Sequence, residues 1–114
     1  MRLRFFMALF SGLFFLISSS LNAGYIRGIE LSNWCNSKDI SDQSACVAYM
    51  LAVHDTFDAI SAANKQRFYC MPNETGSKEL HANVVSFLNE NPKFQHVSAS
   101  SIVLMALKKQ YPCP

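Results

Sequence analysis

Apolar residues recur every three to four positions in four stretches, and polar runs separate them. In Tyr25 to Cys35, Leu31, Trp34 and Cys35 share one face, which predicts a short amphipathic helix. After a polar run from Asn36 to Gln43, where Ser41 or Asp42 is placed to cap, Cys46, Tyr49, Met50, Val53, Phe57 and Ile60 repeat at helical spacing. The opposite side of that helix carries Asp55, Asp58, Ala59 and Ala62. Pro72 cannot sit inside a helix without losing a hydrogen bond, so Lys65 to Gly76 reads as a loop. Thr75 or Ser77 then caps a third helix, with Leu80, Val84, Phe87 and Leu88 on one stripe and Asn91-Pro92 at its end. A polar connection runs to Val97. Ser98 caps a last helix with Ile102, Val103, Met105, Ala106 and Leu107 on its apolar face, Lys108 and Lys109 in its last turn, and Pro112 as its stop. No stretch alternates with period two and no internal repeat is visible, so the expected fold is all-α, a small four-helix antiparallel bundle.

Composition narrows the class. With 114 residues, 50% of them hydrophobic and only 4 Gly and 4 Pro, the chain suits one small globular domain and excludes a disordered tail or a multidomain enzyme. Its amino terminus reads as a signal peptide over residues 1–23. Arg2 and Arg4 form a basic start, and the uncharged run from Phe5 to Ile17 gives a helix of roughly 20 Å, short of a ~30 Å hydrocarbon core. Small residues follow, with a cut expected after Ala23, or after Ser20, so the mature domain is expected to span 24–114 and to be exported to the periplasm, with no membrane attachment after cleavage. Without Arg2 and Arg4, the eight remaining basic residues balance eight acidic ones, which leaves no electrostatic footprint for nucleic acid.

Export places Cys35, Cys46, Cys70 and Cys113 in an oxidising compartment, where an even count favours disulfides. Their spacings of 11, 24 and 43 residues lack the close pairs of a zinc site, and His54, His81 and His96 show no ligand spacing with them, so no metal and no cofactor is expected. In an up-and-down bundle, Cys35 at the end of the first helix meets Cys46 near the start of the second. Cys70 and Cys113 lie together at the other end. The expected pairing is therefore Cys35–Cys46 and Cys70–Cys113.

An ordered series of motifs also carries a resemblance. It comprises Cys46-x-x-Tyr49, Asp55 six residues after that tyrosine, Tyr69-Cys70-Met71-Pro72, and Ser98-Ala99 opening an apolar helix that closes on Tyr111-Pro112-Cys113. Over about Leu31 to Cys113, this series resembles the Rap/Tai family, the periplasmic immunity proteins of bacterial type VI secretion systems. The resemblance implies a helical, disulfide-bonded, often homodimeric protein that binds and blocks a papain-like peptidoglycan amidase effector. The chain departs from the family's tendency to Gly on either side of the tyrosine, with Ala48 and Ala52 at those places; both are small enough to keep close helix packing.

No residue set predicts catalysis. His54 and Asp55 are adjacent on a helix and so diverge by about 100°, and Asp55 is expected to cap or hydrogen-bond across helices. Tyr49 is expected in the core with its hydroxyl satisfied, and Pro72 and Pro112 are expected as structural breaks. For partner binding, the segment from Asn89 to Val97 offers Lys93, Phe94, Gln95 and His96 between two helix ends: Phe94 either folds back onto the bundle or enters a partner's cleft. The Lys65 to Gly76 loop is the second candidate surface. The alternative to immunity is a periplasmic helical binding or stress-related module of the same fold with no toxin partner.

Overall fold

In a computed structural model, which describes residues 25–114, the four apolar stretches form four helices: α1 (Gly28–Asn36), α2 (Ile40–Asn64), α3 (Ser77–Glu90) and α4 (Ala99–Gln110), with a single 3-10 turn at Pro92–Phe94 before α4. The signal-peptide segment lies outside the described residues. Each helix packs against each of the other three, so one core serves them all. Leu31 of α1, Cys46 and Met50 of α2, Leu80 and Val84 of α3, and Ile102, Val103 and Leu107 of α4 are essentially closed to solvent there. These are the positions the helical period selects. No helix among the described residues is long and apolar enough to cross a membrane.

The helix starts differ from those the sequence suggests. α1 begins at Gly28, because Tyr25 to Arg27 is extended and bridges Ser98: Ala99 N–H donates to Ile26 O at 2.8 Å. α2 begins at Ile40 with Asp39 as its cap; the Asp39 carboxylate accepts from Ser41 N–H at 2.7 Å and from the Ser41 hydroxyl at 2.8 Å. The first turn of α2 faces water, with Ile40 80% exposed, so no apolar period marks it in the sequence. Gly76, not Thr75 or Ser77, precedes α3, and no side chain caps that helix. Ser98 does cap α4, its hydroxyl accepting from Ser101 N–H at 3.4 Å.

Two disulfides join the elements in the pairing that antiparallel topology requires. Cys35–Cys46 ties the end of α1 to the second turn of α2, with Cα atoms 5.1 Å apart. Cys70–Cys113 ties the loop after α2 to the segment after α4, with Cα atoms 4.9 Å apart, and beside it Cys70 N–H donates to Tyr111 O at 2.7 Å. The bridge and the backbone bond together fix where that loop crosses the end of the bundle.

Candidate functional site

Two surfaces combine chemistry with a defined shape. The first is the connection between α3 and α4. The N-terminus of α1 presents N–H groups with no partner inside the helix, and this connection satisfies them: Gly28 N–H donates to Val97 O at 2.8 Å and Ile29 N–H to Gln95 O at 2.9 Å. Gly28 makes the approach feasible. A Cβ there would lie 2.8 Å from Phe94 O and would collide with Ile102 Cδ1. The connection is therefore held rigidly along its backbone.

Phe94 folds back onto the bundle. Its ring stacks on Phe87 with centroids 6.2 Å apart and planes 10° apart, and ammonium groups flank the pair, Lys93 at 5.2 Å from the Phe94 ring and Lys109 at 5.8 Å from the Phe87 ring. Lys109 also approaches Glu90 at 3.9 Å. Phe94 is half-buried, whereas Lys93, Gln95 and His96 are exposed. The result is a firm, aromatic-backed patch with basic and amide groups outermost.

The second surface lies at the far end of α2. That helix ends at Asn64 through Lys65, which adopts a left-handed conformation (φ 54°, ψ 32°), and the chain turns back to bring Tyr69 against the helix. Tyr69 is buried, and its hydroxyl lies 2.7 Å from His54 Nδ1. Burial first, and then the nearby Asp58 and Asp55 carboxylates, push the Tyr69 phenol up to about 12. Phe68 meets Phe57 edge-on at 5.2 Å, closing the other side of the turn. Between helix and loop is a cleft of about 340 Å³ with mainly polar walls, to which His54, Asp58, Lys65, Arg67, Tyr69 and Met71 contribute.

The structure separates the residues singled out in the sequence. Tyr49 is half-buried, edge-on to Trp34 at 6.4 Å, and burial raises its phenol with the Ser100 hydroxyl working against that rise. Asp55 is exposed and its side chain forms no hydrogen bond or ion pair among the described residues, so the expected cross-helix bond is absent. Its contribution is the field it exerts on Tyr69. Pro72 accepts from Thr75 N–H at 3.1 Å in a turn before α3. Pro112 follows Tyr111, whose hydroxyl donates to Glu79 at 3.1 Å and accepts from Asn83 at 2.7 Å, locking α3 to the end of α4. The His54–Tyr69 pair was not foreseen. Its signal was present, since a cysteine next to Tyr69 that must reach Cys113 forces the tyrosine back toward the bundle.

Among the described residues, no group of three or more His, Cys, Asp or Glu side chains is placed to hold a metal ion. A family model described as Rap1a immunity proteins matches residues 27–113, from the residue before α1 to the last cysteine. No curated protein and no solved structure gives a significant match. With the match spanning all four helices and both disulfides, the chain belongs to the Rap1a immunity protein family.

Proposed function

We propose that this member of the Rap1a immunity family is exported to the periplasm and there binds and occludes a papain-like peptidoglycan amidase delivered by a type VI secretion system, sparing the producing cell. The observation that carries the reading is the family match across the whole helical domain. Family membership supports immunity against an effector; the class of effector, the compartment and a homodimeric state come from the motif resemblance. The protein acts by occupying a surface, a role that asks for rigidity and not for a reactive group.

The connection between α3 and α4 suits that role. An inhibitor loop held in its bound shape loses little conformational entropy on docking, and here the backbone bonds to α1 and the Phe87–Phe94 stack hold it. Phe94 supplies the apolar centre of the contact and Lys93, Gln95 and His96 its polar rim. The Lys65 to Gly76 loop is the other surface available to the same partner.

The test is calorimetric titration of the oxidised domain with the papain-like amidase encoded nearest to it. One-partner binding with Kd on the order of nanomolar is expected, and a Lys93→Ala, Gln95→Ala, His96→Ala variant is expected to keep the fold while losing tenfold or more in affinity. Unchanged affinity in that variant would move the interface off this loop. Weak binding shared among unrelated proteins would instead favour a general periplasmic module. Light scattering of the free protein tests the homodimer.

A further inference from the structure

The cleft at the end of α2 contains charges of both signs that do not pair with one another. Asp58 lines it from the helix, Lys65 and Arg67 from the turn, yet the ion pairs among the described residues are Arg27–Glu30 and Lys109–Glu90. The cleft also lies where α2 stops. Lys65 and Gln66 N–H both donate to Ser61 O, which leaves the carbonyls of 62–64 without backbone partners among the described residues, at the negative pole of the helix. One part of this site therefore favours a cation and another an anion.

Simple ions fit poorly. A metal cation would meet Lys65 and Arg67, and no cluster of three metal-ligating side chains stands there among the described residues. A phosphate or other pure anion would meet Asp58 and the helix end. A ligand carrying both charges meets neither objection. The volume of about 340 Å³ is at the small end of ligand pockets, which run from about 300 to 1,000 Å³, and Met71 adds an apolar wall.

We propose that this cleft binds a small zwitterion, a free amino acid or a short peptide with both termini charged. Its carboxylate pairs with Lys65 and Arg67, and its ammonium with Asp58 and the carbonyl end of α2. The Tyr69 hydroxyl, 2.7 Å from His54 Nδ1, holds the imidazole ring against the cleft wall. Tyr69 thereby acts as a positioning residue for His54. This binding is independent of the immunity reading, because it concerns a ligand of a different class and its test uses the free protein.

The experiment is an NMR titration of the oxidised protein with alanyl-alanine, alongside its N-acetylated and its C-amidated forms. Saturable shifts are expected to gather on His54, Asp58 and residues 65–73, and blocking either terminus is expected to weaken binding tenfold or more. Asp58→Asn and the Lys65→Gln, Arg67→Gln pair change only exposed side chains, and each is expected to abolish the response while the core resonances stay in place. Three results would overturn the proposal: no saturable shift at about 10 mM, a range where even Kd values of millimolar order register; an equal response to the blocked peptides; or the same shifts with acetate alone. Because the comparison of peptides uses the unaltered protein, it stands even if a variant fails to fold.

Discussion

Gly28 shows how much one residue can determine. Its missing Cβ lets the start of α1 lie against Phe94 O and Ile102, and its N–H bond to Val97 O depends on that contact. Gly28→Ala should lower stability by about 1–3 kcal/mol, the usual cost of forcing extra volume into a packed site, which thermal unfolding would register; an unchanged midpoint would mean that the start of α1 has room for a methyl group. Tyr69 gives a second test at this scale. Its folded phenol titrates at about 12, above the ordinary value near 10, so the unfolded chain releases this proton first. The stability this contributes is complete below pH 10 and is lost as the pH rises toward 12. Ultraviolet titration should show a late phenol ionisation that disappears in Tyr69→Phe, and the variant should lose less stability than the parent over that alkaline range. Losing the bond to His54 should also cost it about 1 kcal/mol at neutral pH.

Among the elements, the helices were legible and their surroundings less so. Leu31, Met50, Val84, Ile102 and Leu107 follow a period that only a buried helix face explains, so the bundle could be read directly, and with antiparallel neighbours the disulfide pairing followed. Helix starts were harder to place, because Asp39 and Gly76 sit among exposed polar residues where burial imposes no pattern. The cleft was illegible for another reason. It depends on Lys65 taking a left-handed conformation, and on which residue Tyr69 meets once Cys70 has drawn it back to the bundle: His54 is 15 positions away, and no local spacing selects it. Of the partner residues proposed from sequence, Phe94 could be placed either way, and its stack on Phe87 answers for the free protein. The disulfides admit a test at this level too: their closed loops of 11 and 43 residues correspond to about 3 and about 4 kcal/mol of loop entropy. A Cys70→Ala, Cys113→Ala variant should therefore lose most of its stability margin, by denaturant titration, and loosen the 65–76 loop in hydrogen exchange. If that variant kept its midpoint, the second disulfide would be a minor element of the fold.

As a whole, the molecule is a small core made dependable by cross-links, with its polar chemistry moved to two rigid margins. Domains of this size bury little apolar surface, and two disulfides compensate. The same stiffness suits a protein that must present a fixed surface to one partner. If binding by that surface is the function, the oxidised protein should inhibit at one equivalent, and reduction should abolish inhibition together with the fold. The measurement that decides this is peptidoglycan cleavage by the amidase encoded nearest the chain, followed while the oxidised protein is titrated in. Stoichiometric loss of cleavage with a sharp equivalence point is expected. Full cleavage in the presence of excess folded protein, with the amidase shown to be active, would contradict it.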